Sequence, residues 1–248
     1  MIRLSFKFLF IMMLALMMNA CDKEHMFDFT KSTGKMVTVS RPITGFSEIH
    51  LSDDVDLVIR KGAEYALRVT AGLNLIDGIT TEMQGNTLLI RNKNRFNWVR
   101  SFKNRYTVEV IMPVELENIY YDGAGDINCL DTLKYDGFTL DCWNGSGDLN
   151  MLMDTETSHL NIHIGRCLLK ASGKSVVSYV YLNDVGVVDA SGLSTAYTFI
   201  RSSSTGKAEV EVEKELLADI SHTGNIYYSG PVNMINSTVT GSGRLIRR

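Results

Sequence analysis

A glycine recurs about every 20 residues through the second half of the chain, and this period constrains the fold more than any other feature. The intervals are 22, 18, 21, 20, 18 and 19 residues, and the glycines are Gly125, Gly147, Gly165, Gly186, Gly206, Gly224 and Gly243. A repeat near 20 residues, made of short strands and turns, is typical of a solenoid in which each coil buries its apolar side against its neighbours.

The residues that follow each glycine have the two-residue period of a half-buried strand. The second position is apolar in all seven repeats: Ile127, Leu149, Cys167, Val188, Ala208, Ile226 and Leu245. The fourth position is apolar in six repeats, whereas the first is mostly polar. Alternate strand residues point to opposite faces, so positions two and four are expected to point inward. Another short strand precedes each glycine, as at 159–162 and 179–182.

The first repeat also offers a candidate anion site, because Gly123-Ala-Gly125-Asp126 resembles a phosphate-cradling loop. Such loops lead directly into a helix whose N-terminus meets the anion. An alternating strand follows here, and Asn128 stands where a dinucleotide-binding loop has its last glycine. The glycines are therefore interpreted as corners that need positive φ or close backbone approach.

The N-terminal third carries a degenerate form of the repeat. Residues 54–59 align with 124–129, with Val55 in place of the glycine, and 84–86 form a predicted hairpin turn. The predicted fold is all-β: a right-handed β-helix-like solenoid of about 20-residue coils with an irregular N-terminal β lobe. The lobe comprises residues 36–117 and the regular stack residues 118–248, and the alternative is that both form one continuous domain.

The N-terminus has the features of a secretory signal over residues 1–20. Arg3 and Lys7 precede an apolar run of about 11 residues, which is too short to cross a bilayer. The segment Asn19-Ala20-Cys21 resembles a bacterial lipoprotein cleavage site, so Cys21 is the predicted lipidation site and residues 21–35 a flexible tether. The acidic segment Asp22-Lys23-Glu24, just after the cysteine, favours a lipid anchor in the outer leaflet of the outer membrane. We expect an outer-membrane protein at the cell surface. Its N-terminal lipid is expected to hold it to the membrane.

Charge and cysteine content argue against a nucleic-acid-binding protein and against a cysteine metal site. The formal net charge is -3, which gives no reason to expect a nucleic-acid partner. Cys129, Cys142 and Cys167 match no metal-site spacing and are expected to be small buried residues. A disulfide between Cys129 and Cys142 is the alternative in an oxidising envelope.

One pair of carboxylates is a candidate for catalysis. Asp126 and Asp148 occupy the same position on adjacent coils, about 5 Å apart, near the separation of a retaining glycosidase pair. The same column continues with Arg166, Val187 and Lys207, which indicates a solvated turn. The same pair of carboxylates is also a weak candidate for a calcium-binding edge.

The spacing of His159 and His163 would suit a metal site on a helix. Leu160, Ile162 and Ile164 alternate with polar residues, so the segment is a predicted strand with the two rings about 13 Å apart. The sequence therefore predicts no catalytic residues, no metal site and no cofactor.

A basic and aromatic segment between two predicted strands is the candidate ligand-binding loop. It lies within residues 92–105 and includes Arg95, Phe96, Trp98, Arg100 and Phe102. Aromatic faces stack on sugars and arginines pair with anions, so a glycan or a lipid headgroup is the expected ligand. The alternative is a hairpin whose aromatic side chains pack against the lobe.

The order of several short motifs resembles a known family. They are Arg41-Pro42-Ile43-Thr44-Gly45, Gly125-Asp126-Ile127, Gly147-Asp148-Leu149, Thr223-Gly224-Asn225-Ile226 and Gly241-Ser242-Gly243-Arg244. This succession resembles the putative auto-transporter adhesin head domain family, also called the head GIN domain, over residues 36–248. The resemblance implies a β-helical, lipid-anchored or secreted envelope protein with an adhesin role.

The expected function is therefore that of a non-catalytic, surface-exposed lipoprotein that acts as an adhesin or ligand-binding module for a glycan or protein. Two alternatives stay open. One is a structural envelope protein that faces the periplasm, and the other is a carbohydrate-active β-helix enzyme. The sequence specifies no oligomeric state.

Overall fold

The computed structural model describes residues 32–94, 105–113 and 115–248, and 71% of these residues are in strands. Seventeen strands form one hydrogen-bonded sheet that coils through about six turns of about 20 residues. The predicted all-β, β-helix-like solenoid is confirmed. Within the described ranges, no helix has the length and apolar character needed to cross a membrane.

The strands are numbered in chain order. The first nine are β1 (Met36–Arg41), β2 (Glu48–Asp53), β3 (Val55–Lys61), β4 (Ala66–Gly72), β5 (Ile79–Gln84), β6 (Thr87–Asn92), β7 (Tyr106–Met112), β8 (Asn118–Gly123) and β9 (Ile127–Cys129). The remainder are β10 (Leu133–Gly145), β11 (Asp148–Gly165), β12 (Leu168–Asp184), β13 (Val187–Ser204), β14 (Ala208–Ile220), β15 (Ile226–Ser229), β16 (Met234–Val239) and β17 (Leu245–Arg247).

The stacked strands build three walls around the core. Wall 1 runs in the order β5-β6-β2-β8-β10-β11-β12-β13-β14-β16. Wall 2 runs in the order β1-β4-β7-β3-β9-β11-β12-β13-β14-β15-β17. Wall 3 consists of the segments 133–138, 153–158, 173–178, 193–198 and 212–216, so β11, β12 and β13 each bend through all three walls.

Wall 2 contains the apolar column that the repeat predicts. Ile127 pairs with Leu57 on one side and with Leu149 on the other, and all three are fully buried. In the third repeat the alignment of second positions was wrong, because Leu169 and not Cys167 pairs with Leu149. A displacement of two residues leaves inward and outward positions unchanged, so alternation alone did not reveal it.

The corner glycines are required by close approach of successive coils. A side-chain carbon at Gly147 would overlap the carbonyl oxygen of Gly125, the corner glycine of the preceding coil. The same overlap with the preceding corner glycine occurs at Gly206, Gly224 and Gly243. These glycines lie outside the left-handed region of φ, so close approach and not positive φ is the reason for glycine here.

The N-terminal strands continue walls 1 and 2. β6 and β7 pair in parallel with β2 and β3, and antiparallel strands β5, β4 and β1 follow at the end of the stack. The predicted turn between β5 and β6 is confirmed, with Gly85 at a φ of 61°. Antiparallel strands thus form the N-terminal end of both walls.

Wall 3 contains a column of hydroxyl groups that point into its interior. Ser158, Ser178 and Thr198 form a buried column between Phe138 and Leu216. Ser158 Oγ donates to Ser178 Oγ at 3.0 Å. Thr198 Oγ1 lies 2.7 Å from the Oγ1 of Thr195, a hydroxyl that donates to a backbone carbonyl in the next coil. Hydrogen bonding to neighbouring coils makes these buried polar groups tolerable.

Candidate functional site: an aromatic groove on wall 1

Stacked rings form a ridge on the outer surface of wall 1. His159, Tyr179 and Phe199 occupy one register position in β11, β12 and β13, and Leu217 continues the column. The ring centroids of His159 and Tyr179 are 4.8 Å apart at an interplanar angle of 9°, and those of Tyr179 and Phe199 are 5.1 Å apart at 16°. In-register parallel strands place equivalent side chains one above another, so the rings stack along the axis and turn their edges to solvent.

A polar column runs beside this ridge, two residues further along each strand. It contains Asn161, Tyr181, Arg201 and Asp219, in pairwise register. Arg201 Nε lies 3.9 Å from Asp219 Oδ2, and 70% of the Arg201 side chain is exposed. The guanidinium therefore stays largely in water, with donors directed toward solvent.

A groove of about 350 Å³ lies between the aromatic ridge and the polar column. Its lining includes Asn161, Tyr179, Tyr181, Phe199, Arg201, Leu217 and Asp219. We call this feature the aromatic groove. One side offers apolar ring edges and the other offers amide, phenol, guanidinium and carboxylate groups, so the groove suits a ligand that has both apolar and hydrogen-bonding surface.

A second group of rings extends the surface toward the corner of the coil. Trp143 stacks on His163 with centroids 3.9 Å apart at 9°, and His163 contacts Tyr181 at 5.4 Å. Asp141 holds the histidine in place, because its Oδ1 lies 3.0 Å from His163 Nε2 and also accepts a hydrogen bond from Asn161 Nδ2 at 3.0 Å. Trp143 is 40% exposed and therefore available for contact.

Three larger grooves lie elsewhere on the stack, and charged side chains line the two largest of them. The groove along wall 3 has charged side chains of both signs, such as Lys134 and Asp154, whose charged atoms lie 3.5 Å apart in water. The other groove contains carboxylates that serve the backbone. Asp53 Oδ2 accepts the N–H of Asn92, and Asp184 Oδ2 accepts the N–H of Gly165. The wall 3 groove contains one ring, that of Tyr135, and the other groove contains none, so neither has stacked rings beside a polar column.

The predicted alignment of Asp126 with Asp148 is confirmed, and both lie in a ladder of hydrogen bonds. The Asp148 N–H donates to Asp126 Oδ1 at 3.0 Å, and the Asp126 N–H donates to Asp56 Oδ1 at 2.8 Å. Arg105 pairs with Asp56 and, at 3.0 Å, with Asp126. Burial raises the pKa of Asp56 despite these partners. Within the described ranges, no group of three or more His, Cys, Asp or Glu side chains could hold a metal ion.

The structure separates His159 from His163, as the predicted strand requires. Both lie on β11, and their rings belong to different stacks, one with Tyr179 and the other with Trp143. The predicted binding loop with Arg95, Phe96, Trp98, Arg100 and Phe102 lies outside the described residues, as does Cys21. Arg105, at the end of that segment, is described and lies beside Asp56.

The aromatic groove was not identified from the sequence. Its signal was the separation of 20 residues between His159, Tyr179 and Phe199, which equals one coil. A short strand at 197–200 also precedes Gly206, and an alignment of the short strands on their first residues matches Tyr179 with Tyr197. The structure places Tyr197 on wall 3, so the true column appears only when the register is known.

Comparisons with known proteins agree with this architecture. The family model described as "Putative auto-transporter adhesin, head GIN domain" matches residues 45–231. A solved structure of a putative adhesin from Bacteroides fragilis is 17% identical with a TM-score of 0.79, and the match covers 86% of this chain and 97% of that chain. A putative adhesin from Parabacteroides distasonis is 18% identical with a TM-score of 0.67, over 87% and 98% of the two chains.

A putative lipid binding protein from Parabacteroides distasonis has the same fold more distantly, at 18% identity and a TM-score of 0.52 over 88% and 98% of the two chains. No curated protein sequence matches the chain. The family match supports an adhesin or binding role in the bacterial envelope. Over most of its length, the chain belongs to the putative auto-transporter adhesin, head GIN domain family.

Proposed function

We propose that the mature protein is a non-catalytic lipoprotein, anchored through Cys21 on the cell surface, that binds a neutral glycan chain in the aromatic groove. The observation that carries this proposal is the pairing of a ridge of stacked rings with a parallel polar column across several coils. The adhesin family to which the chain belongs supports a binding role.

The chemistry of a sugar polymer matches both sides of the groove. Pyranose rings have apolar C–H surface that packs against aromatic side chains, and hydroxyl groups that pair with amide, guanidinium and carboxylate groups. The two columns run along the stack axis, so an extended chain can contact several coils at once. Arg201 and Asp219 carry opposite charges, which favours a neutral glycan over an anionic one.

Affinity electrophoresis in gels that contain β-glucan, α-mannan or dextran tests the binding. We expect at least one neutral polymer to retard the protein, and Phe199→Ala or Arg201→Ala to weaken the affinity about tenfold by removing one side of the groove. Tyr197→Ala is the matched control, because Tyr197 lies on wall 3 beside Lys214. Equal weakening by the control, or no retardation by any of the three polymers, would contradict the glycan site.

The non-catalytic part of the proposal is tested on the polymer that binds. Incubation with the protein should release no new reducing ends beyond those in a protein-free blank. Release that grows with time and protein concentration would instead support the carbohydrate-active enzyme.

The location is tested by protease treatment of intact cells, with a periplasmic protein as the control. We expect the domain to be cleaved while the control survives, and Cys21→Ser to move the domain out of the membrane fraction because the lipid anchor is lost. Resistance until the outer membrane is opened would favour the structural protein that faces the periplasm.

The basic and aromatic loop is proposed as a separate site for an anionic glycan or headgroup. The fold shared with a putative lipid binding protein makes a headgroup worth testing. Vesicles that contain anionic lipid should retain the protein, and Trp98→Ala with Arg100→Ala should reduce retention without changing retardation by a neutral glycan. Unchanged retention in this double variant would show that the loop does not bind the headgroup.

A further inference from the structure

Two of the three cysteines of the stack lie against each other in the core. The Sγ atoms of Cys142 and Cys167 are 2.9 Å apart, and both residues are fully buried. Cys142 belongs to wall 1 on β10, and Cys167 lies at a corner one coil further along the stack. The contact therefore joins two successive coils.

The corner around this pair is built differently from the other corners. Cys167 occupies the position that Gly147 holds in the preceding coil, just before the strand that begins at Leu168. Gly165 adopts a φ of 113°, in the region that favours glycine, and so redirects the chain ahead of Cys167. At Gly145, a side-chain carbon would overlap Cys142 Sγ and the Tyr121 ring. Gly145 thus makes room for the Cys142 thiol, and Gly165 allows the turn that leads to Cys167.

Cys129 provides an internal comparison. Its Sγ lies 3.8 Å from the Met151 sulfur on wall 2, and burial raises the pKa of its thiol to about 12. The hydrogen bond between Cys142 and Cys167 affects the two thiols differently. It raises the pKa of Cys142 and lowers the pKa of Cys167. A lowered thiol pKa increases the thiolate fraction that reacts with a disulfide.

We propose that Cys142 and Cys167 form a disulfide that links successive coils of the mature protein. Each thiol loses a proton and one S–S bond forms between the two sulfurs. The two electrons pass to a dithiol oxidoreductase in its disulfide form, or to oxidised glutathione in vitro, whose own S–S bond is reduced to two thiols. This pairing replaces the expected alternative between Cys129 and Cys142, which the structure does not bring together.

The link has a mechanical consequence for the stack. The two cysteines are separated by 25 residues, slightly more than one coil, so the bond closes a loop around a single turn. Closing such a loop restricts the unfolded chain and holds two coils in register. The envelope location of the family is compatible with oxidation, because disulfides persist outside the cytoplasm.

The first experiment counts thiols in the lipidated protein purified from membranes without reductant. After denaturation we expect one alkylated cysteine, Cys129, and three after reduction, with a peptide linked through Cys142 and Cys167 in the mass spectrum. Cys129→Ser is the matched control and should leave the linked peptide unchanged. Three alkylated cysteines in unreduced protein, even after incubation with oxidised glutathione, would overturn the proposal.

A second measurement distinguishes the covalent bond from simple packing of the thiols. Cys142→Ala and Cys167→Ala should each lower the Tm by about 5–10 °C in non-reducing buffer, and reductant should remove most of this difference. Both variants lose similar buried volume with or without reductant. A Tm difference that reductant leaves unchanged would show that only packing is lost.

Discussion

At the scale of single residues, the corners of the coil are the most constrained positions. Tyr121 spans one of them, since the Gly147 N–H donates to its hydroxyl at 3.0 Å and that hydroxyl donates to the Gly125 carbonyl at 2.8 Å. The ring is fully buried, and burial raises the pKa of the phenol above its usual value. The backbone at Gly125, the backbone at Gly147 and the Tyr121 side chain are therefore tightly packed against one another.

This crowding predicts the cost of a single methyl group at Gly147. Gly147→Ala should lower the free energy of unfolding by about 1–3 kcal/mol, because the added carbon meets backbone that cannot rotate away. Gly137→Ala is the control, since a side-chain carbon there has no neighbour within 4 Å. Urea denaturation monitored by tryptophan fluorescence measures both variants. Equal stability of the two variants would show that the corner is more adaptable than its geometry indicates.

At the scale of the element, the hydroxyl column of wall 3 couples adjacent strands through buried hydrogen bonds. Ser178→Ala should destabilise the protein by about 1–3 kcal/mol, because the Ser158 hydroxyl then lacks its acceptor in a dry environment. Ser221→Ala, at an exposed hydroxyl pair with Ser203, should cost no more than about 0.5 kcal/mol.

The double variant Ser158→Ala with Ser178→Ala separates the hydrogen bond from other effects of these substitutions. Removing both partners leaves no unsatisfied hydroxyl between them, so we expect part of the stability lost in Ser178→Ala to return. Thermal unfolding of the four proteins in the cycle gives the coupling energy. Additive losses would show that the two hydroxyls act independently.

At the scale of the whole molecule, the sequence predicted the parts of the solenoid that have apolar alternation on one face. Ile127 and Leu149 stand at the same distance from a glycine, and their strands were found where wall 2 has them. Wall 3 was missed because its inward positions include Ser158 and Ser178, which break the apolar alternation. Serine and threonine are more often exposed than buried, so only the packed structure identifies these positions as internal.

The site was less predictable than the fold, for a related reason. A groove between two columns depends on which residues share a register position, and a repeat whose length varies by a few residues allows several alignments. The two-residue displacement at Cys167 left the alternation intact but concealed the approach of Cys167 to Cys142. Phe199 was concealed likewise, since a displacement of two residues matches Tyr179 with Tyr197 instead.

The stack as a whole should unfold from its C-terminal end. In a solenoid each coil contacts only its neighbours, so a terminal coil has one interface where an inner coil has two. All six residues of β16 are exposed, whereas β12 contacts β11 and β13 along most of its length. The N-terminal end is finished by antiparallel strands, which the C-terminal end does not have among the described residues.

Hydrogen exchange followed by mass spectrometry tests this order. Peptides from β16 and β17 should exchange first, those from β15 and β14 next, and those from β11 to β13 last, because opening free energies increase with the number of coils that must separate. Reducing the cysteines should accelerate exchange around Cys142 and Cys167 if the disulfide holds their coils together, and leave β16 unchanged. Simultaneous exchange of all strands at one rate would mean that the solenoid opens as a single cooperative unit.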